Sequence, residues 1–384
     1  MRQLTQDEQD IFFAIIRAAI WERKVECTIP ESTDWNTLIE AFQTHSILGT
    51  VASTLIQLSA KVPQLSPYAD SILFPYVANL TRTHIKQNAA IVEVFDRLES
   101  QGCHPVLLKG QGLSTLYPKT CVRSCGDIDI YVGEEEYEKA CTIINDMLGI
   151  DNAAADYHKQ KLHYHIEKGS IIYEVHRKVV SHGKYVGNKD AINNITNNIL
   201  TSEPLPEINI QSTTIKVPPT EFNTWYIFFH LYKHFIHNIG IRQFIDWLFV
   251  IKSNNDIDIQ KLQTNLTTIC LLKEWNELGY ILTHYLGLPV DFFPLYCAEH
   301  HTMSEYDVQR IIYCGDFGKN ASSNLPFKDK KGISRAFAAF IYHTSNIRKV
   351  AKNRSWGYAL YSYKSTVKKG IKRFYKNIFR RSRG

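Results

Sequence analysis

The sequence predicts an α+β protein in which a small mixed β-sheet lies between two helical regions. Apolar residues recur at helical spacing through the first hundred residues, short apolar runs typical of strands follow from His104, and helical spacing returns from Thr220. These changes divide the chain into an N-terminal helical region, a sheet-containing core, a C-terminal helical region and a basic tail, at residues 1–102, 103–218, 219–340 and 341–384.

Helical periodicity covers three segments of the N-terminal region. Ser32 is the expected N-cap of the second segment, because a serine hydroxyl accepts a backbone N–H of the first turn, and Gly102 is the expected stop after the third. The three segments are QDEQDIFFAIIRAAIWE, STDWNTLIEAFQTHSILGTVASTLIQL and ANLTRTHIKQNAAIVEVFDRLES.

Strand-like runs dominate the core region. The tripeptide KGS between the third and fourth runs predicts a tight turn, so these two strands should be antiparallel. QGLSTLY and EEEYEKACTIINDML are predicted helices, and INIQSTTIKV predicts a further short strand pair. The four main strands are predicted in PVLL (105–108), IDIYV (128–132), LHYHIE (162–167) and SIIYEVH (170–176).

Composition limits the class of protein. The 384 residues, 44% hydrophobic and 21% charged, can bury a substantial core. No run approaches the roughly 20 apolar residues that cross a bilayer, and the acidic start MRQLTQDEQD is unlike a secretory signal, so we expect a cytoplasmic protein. The eight cysteines include no CxxC pair and indicate reduced thiols. A zinc site of Cys121 and Cys125 with His163 and His165 would match no common spacing.

The basic tail differs in charge from the rest of the chain. Residues 341–384 contain thirteen Lys or Arg and no acid, which leaves the first 340 residues at about −7. In VKKGIKRFYKNIFRRSRG the apolar residues Val367, Ile371, Phe374 and Ile378 fall at helical spacing, which predicts a basic amphipathic helix. Its partner is expected to be an anionic membrane surface at the inner membrane, a nucleic acid, or the protein body.

Two aspartates in GDIDIYV are the main functional signal. On a strand, Asp127 and Asp129 would project from the same face roughly 7 Å apart, whereas Ile128 would point into the core. Paired carboxylates repel each other unless a cation neutralises them. Glu174 in IIYEVH offers a third acid on a neighbouring strand, and the set predicts a Mg²⁺ or Mn²⁺ site. The alternatives are an ordinary strand-end pair and an exposed Glu174.

Together with these motifs, three longer runs resemble a known family. LLKGQGLSTLYPKTCVRSCGDIDIYV, YEVH and HLYKHFIHNIGIRQFIDW resemble uncharacterised bacterial nucleotidyltransferases of the NTP_transf_5 type, distant members of the DNA polymerase β-like superfamily. The resemblance runs from the N-terminal helices to about residue 255, and it implies a nucleoside triphosphate substrate with divalent metals on the three acids. The wider superfamily has Gly-Ser or Gly-Gly at its first turn, whereas this chain has Lys109 and Gly110 there, as in the closer family.

Three further residues are candidates for nucleotide binding. Gly110 at the start of a helix exposes backbone N–H groups to a phosphate, and Lys109 would add a positive charge unless it is only a solvated strand-end lysine. Arg123 would either clamp a phosphate or pair with one of the three acids.

Supporting polar residues lie on the last strand and on two later helices. His176 should share the strand face of the third acid, where it would bind substrate, relay a proton, orient a carboxylate, or serve only as a structural histidine. His230 and His234 are four residues apart, as are Arg242 and Asp246, so two helices would present them to a common cleft. A structural Arg242–Asp246 pair explains the second spacing equally well.

The favoured hypothesis is transfer of a nucleotidyl group to a hydroxyl or phosphate acceptor, with Glu174 helping to deprotonate the acceptor. The resemblance implies an acceptor from surface-glycan or natural-product biosynthesis. The alternatives are a toxin-like relative that modifies RNA or protein and a non-catalytic nucleotide-binding relative.

Overall fold

The computed structural model describes residues 2–180, 188–202, 204–235, 239–254, 256–301 and 303–316, together with the single residues Ser334, Ile341 and Val367. The predicted amphipathic helix of the tail lies outside the described residues, apart from Val367.

Helices precede, interrupt and follow the strands, as the sequence predicts. The helices are α1 (Gln6–Ile20), α2 (Trp35–Thr44), α3 (Leu48–Ser59), α4 (Ser66–Tyr68), α5 (Phe74–Ser100), α6 (Gly110–Ser114), α7 (Gly133–Leu148), α8 (Lys189–Leu200), α9 (Thr220–Phe235), α10 (Ile241–Ser253), α11 (Ile259–Thr268), α12 (Leu272–Tyr280) and α13 (Glu305–Cys314). The strands are β1 (Val106–Leu108), β2 (Ile128–Tyr131), β3 (His163–Lys168), β4 (Ile171–His176), β5 (Glu207–Ile210) and β6 (Thr213–Lys216).

The second predicted helix is two helices, which corrects the sequence-based expectation. The chain breaks between α2 and α3, where Ser46 has φ +57°. Asp34 rather than Ser32 caps α2, since its side chain accepts the Thr37 N–H. The break depends on tertiary contacts, because the buried His45 ring bonds the Ile312 carbonyl at 2.9 Å and accepts the Ile241 N–H at 3.2 Å.

Within the described residues, the main sheet is mixed, with strand order β1-β2-β4-β3. β1 runs antiparallel to β2, β2 runs parallel to β4, and β3 and β4 form the hairpin predicted from KGS. Gly169 has φ +62° at that turn, a conformation that favours glycine. β5 and β6 form a separate two-stranded ribbon, as predicted.

One face of the sheet is apolar, and the other carries polar residues beside the buried Leu108 and Tyr131. Ile128, Ile130 and Val175 are buried in a hydrophobic cluster that includes residues of α5 and α7. Because side chains alternate along a strand, Asp129 and Glu174 point to the opposite face. Burial of the apolar face against α5 and α7 therefore fixes which side of the sheet carries the polar residues.

The N-terminal helices and the helices after β6 share one hydrophobic core within the described residues. Trp21 donates its indole N–H to the Leu286 carbonyl at 2.8 Å, and the rings of Phe13 and Tyr285 lie 4.7 Å apart. An aromatic cluster fills the centre of the C-terminal helices, and it contains Phe228, Trp247, Trp275 and Phe293.

A buried ion pair connects the loop before β2 to α10. The Arg123 guanidinium donates to both carboxylate oxygens of Asp246, from Nε at 2.7 Å and from Nη2 at 2.8 Å, and Tyr117 adds a 2.7 Å bond. Arg123 therefore pairs with Asp246 and not with one of the three acids, and Asp246 pairs with Arg123 and not with Arg242. This geometry gives no support to a phosphate clamp at Arg123, which is 5% exposed.

We predict that Asp246→Ala lowers the free energy of unfolding by about 3–5 kcal/mol, because it leaves the Arg123 charge buried without a counter-ion. Lys261→Ala is the matched control, since it breaks the exposed 2.8 Å pair with Glu221 and should cost less than about 1 kcal/mol. Chemical denaturation measures both. Equal losses in the two variants would contradict the prediction.

Candidate metal and nucleotide site

The strand register places polar side chains in two rows on the face of the sheet opposite α5 and α7. Asp129 lies directly beside Glu174 in the parallel β2–β4 pair, and Glu174 lies opposite His165 in the hairpin. Further along the strands, His176 lies opposite His163. This face of the sheet therefore brings carboxylates and imidazoles together at neighbouring positions of β2, β3 and β4.

Asp127, Asp129 and Glu174 come together in the structure. One carboxylate oxygen from each lies within 4.8 Å of the others. Asp127 immediately precedes β2, which begins at Ile128, so the first aspartate extends from the loop and the second from the strand. The donor set is three carboxylates, which suits the oxygen preference of Mg²⁺ and Mn²⁺.

Asp129 is the most enclosed of the three acids. Its Oδ1 accepts both the Lys109 ammonium at 2.8 Å and the His176 Nε2 at 2.9 Å. Burial alone would raise its pKa, but the neighbouring Lys109 charge and the His176 ring lower the pKa well below the usual range. Burial alone would lower the pKa of His176, but the hydrogen bond to Asp129 and the nearby Glu174 carboxylate outweigh it and raise the pKa.

The other two carboxyl groups are shifted in opposite directions. Burial and then the charge of Asp129 raise the pKa of Asp127. Burial would also raise the pKa of Glu174, but the His176 ring outweighs it and lowers the pKa to about 2. Asp127 has no ion-pair partner within the described ranges. A bound cation would therefore relieve the repulsion between the carboxylates of Asp127 and Asp129.

The turn between β1 and α6 brings Lys109 to this cluster. Lys109 follows Leu108, which pairs with Asp129, and it has φ +47°, a strained conformation for a residue other than glycine. Its ammonium also lies 3.4 Å from His230 Nε2 on α9. Gly110, φ +37°, opens a helix of only five residues, so its helix dipole is small. Phosphate binding by Lys109 and Gly110 stays a prediction.

Arg242 and the α9 histidines have different surroundings. Arg242 donates to the Ser124 carbonyl at 2.8 Å and pairs with Asp316 at 3.2 Å, which supports the loop that leads to Asp127. His230 lies half-buried beside Lys109, and the His230 and His234 rings are 4.6 Å apart. Desolvation first, and the Lys109 charge second, lower the pKa of His230 well below its usual value.

Lys233 is a charged residue of this cleft that sequence reasoning missed. Burial, and then repulsion from Lys109, lower its pKa to about 8. No carboxylate among the described residues lies within ion-pair distance of its ammonium. The sequence offers one signal for it, since Lys233 is the one lysine in a helix rich in aromatic residues, one turn from His230.

His163 and His165 were also missed as neighbours of the acids. His163 Nε2 lies 3.6 Å and His165 Nδ1 lies 3.5 Å from Glu174 Oε1. Counting back from the KGS turn would have paired His163 with His176. Cys121 and Cys125 join no metal-ligand group in the described part of the chain, so the zinc set with cysteine is absent there.

Together, the three carboxylates offer oxygen ligands that could hold a cation, and two lysines lie beside them. The family model described as an uncharacterised nucleotidyltransferase matches residues 31–287, more than half of the chain. The chain belongs to this nucleotidyltransferase family. Membership confirms the resemblance and the α+β fold class, and it supports a nucleotidyl-transfer function.

The family match includes β1 to β6, α9 and α10, so it covers the carboxylates and both lysines. No curated protein and no solved structure matches the chain. No helix in the described ranges is long and apolar enough to cross a bilayer.

We predict that Lys233→Met stabilises the folded protein at pH 7 by on the order of 2 kcal/mol, because burial penalises the charged lysine. The wild-type penalty is fully present below the folded pKa of about 8 and is relieved as the pH rises toward 10.5. Chemical denaturation at a series of pH values should therefore show stability rising across this window in wild type and not in the variant.

Lys86→Met, on the exposed face of α5, is the control and should change stability by less than about 0.5 kcal/mol. A loss of stability in Lys233→Met at pH 7 would contradict a penalised charge.

Proposed function

We propose that the protein is a metal-dependent nucleotidyltransferase in which Asp127, Asp129 and Glu174 hold Mg²⁺ or Mn²⁺ under a nucleoside triphosphate. The convergence of the three carboxylates within 4.8 Å carries this proposal. Bound there, divalent cations would neutralise phosphate charge and lower the pKa of an attacking hydroxyl.

Two lysines lie near the acids. Lys109 and Lys233 bring two ammonium groups close enough to affect each other's charge. An incoming triphosphate would supply a close counter-ion for Lys233, which has none within ion-pair distance among the described residues. We therefore propose that Lys109 and Lys233 contact the phosphates, with Gly110 adding backbone N–H groups.

The acceptor needs a base beside the acids. Asp127 has a raised pKa, whereas that of Glu174 is lowered to about 2. A stronger base accepts a proton more readily at neutral pH. Deprotonation of the acceptor by Glu174 stays a prediction, and the raised pKa of Asp127 makes that carboxylate the alternative base.

One observation favours a second candidate, a non-catalytic nucleotide-binding relative. The Lys109 ammonium lies 2.8 Å from Asp129 Oδ1, where it compensates the charge that a metal would otherwise neutralise. A cation at Asp129 must share that carboxylate or displace the lysine. A binding protein without transfer activity would keep the lysine in place.

We predict that Asp127→Asn and Glu174→Gln each reduce magnesium-dependent nucleotidyl transfer by at least about 100-fold, since even the loss of a residue that only orients a metal ligand costs about 10- to 100-fold. Glu167→Gln is the matched control, because Glu167 is an exposed acid on the same hairpin. Calorimetry with triphosphate and magnesium measures binding, and radiolabelled triphosphate measures transfer.

Magnesium-dependent binding without transfer to any acceptor would favour the non-catalytic candidate. Absence of triphosphate binding in wild type, with no effect of Asp127→Asn, would overturn both. The acceptor class follows from incubating labelled triphosphates with sugar phosphates, lipid extracts, peptides and RNA. Label on sugar phosphate or lipid supports a glycan acceptor, whereas label on tRNA counts against it.

A further inference from the structure

A second cluster of metal-binding side chains lies on the β3–β4 hairpin. One ligand atom from each of His163, Glu174 and His176 lies within 4.8 Å of the others. His163 and His176 face each other across the hairpin, and Glu174 is two residues before His176 on the same strand face. The cluster shares Glu174 with the three-carboxylate group but otherwise uses nitrogen donors.

The spacing within this cluster suits a shared ion better than direct hydrogen bonds. Glu174 Oε1 lies 3.6 Å from His163 Nε2, and Glu174 Oε2 lies 3.5 Å from His176 Nε2. N–H···O hydrogen bonds are about 2.7–3.2 Å long. Two ligands of a tetrahedral zinc ion with bonds of about 2.1 Å lie about 3.4 Å apart.

The imidazole rings also have unused hydrogen-bonding capacity. Nδ1 of His163 and Nδ1 of His176 are both buried without a hydrogen-bond partner among the described residues. The side chain of His176 is only 6% exposed. Buried polar atoms usually have partners, so each ring has a nitrogen available to a further ligand. His176 Nε2 donates to Asp129 Oδ1 at 2.9 Å, so an ion bound through that nitrogen would replace this hydrogen bond.

The donor atoms determine which cation fits. Two imidazoles and one carboxylate form a set typical of zinc, and nitrogen ligands favour the later first-row transition ions over Mg²⁺. The Asp127–Asp129–Glu174 group offers oxygen alone. The polar face of the sheet therefore contains two adjacent positions of different chemical preference.

We propose that His163, Glu174 and His176 bind a first-row transition ion of the Zn²⁺ type beside the all-carboxylate position. This site goes beyond the nucleotidyl-transfer function, because binding of the ion by these residues requires no nucleotide. Three protein ligands also leave a coordination position open to water or to a ligand oxygen.

The test uses the full chain after treatment with a chelator. Titration with Co²⁺, followed by its visible absorption, and calorimetry with Zn²⁺ should each show one ion per chain bound at this site. His163→Ala should weaken binding by at least about 100-fold, because losing a ligand costs more than losing a group that only orients one. His163→Gln gives a second variant of similar size, and circular dichroism checks its fold.

His165→Ala is the matched control. His165 Nδ1 lies 3.5 Å from the same Glu174 oxygen, but its side chain is 52% exposed and it lies outside the cluster. Its removal should change affinity less than about threefold. Equal loss in His165→Ala and His163→Ala would overturn the proposed ligand set, as would unchanged binding in a folded His163 variant.

Two further results distinguish this site from ion binding elsewhere on the chain. A thiolate-to-Co²⁺ charge-transfer band would place the ion on one of the free cysteines and overturn the proposal. Asp127→Asn should retain Co²⁺ binding while losing magnesium-dependent triphosphate binding. Failure of the transition-ion site and failure of the nucleotidyltransferase function are therefore visible in different measurements.

Discussion

The parallel pairing of β2 with β4 is the constraint on which the site depends. It sets Asp129 directly beside Glu174, and it requires the chain to pass through α7 and β3 before β4 returns in the same direction as β2. A slip of one residue would move Glu174 to the apolar face that packs against α5 and α7. The core of the sheet and the geometry of the carboxylates are therefore specified together.

Charge compensation around this pair uses residues from three parts of the chain. Lys109 comes from the turn after β1, His176 from the end of β4, and Lys233 from α9. Lys109 and His176 bind Asp129 directly, whereas Lys233 is kept in the cleft at an electrostatic cost that lowers its pKa to about 8. Buried charges without a close counter-ion are typical of sites that bind a charged ligand.

The C-terminal helices support the site as well as the core. Asp246 and Arg242, both on α10, reach Arg123 and Ser124 in the loop that leads to Asp127. That loop carries the first aspartate of the cluster, so α10 helps to fix its position. The polar residues of α10 therefore position the loop before β2. The aromatic residues of α9 and α10 anchor both helices in the shared core.

The sequence by itself determined the position of most helices and strands, the apolar and polar faces of β2 and β4, and the three acids, because these follow from local periodicity and one tight turn. Only the tertiary structure decided the strand order, the break at Ser46, the partners of Arg123 and Lys109, and the places of Lys233 and His163. Arg123 and Asp246 are 123 positions apart in the chain. Local spacing holds no information about such contacts, since they form only when distant segments pack against each other.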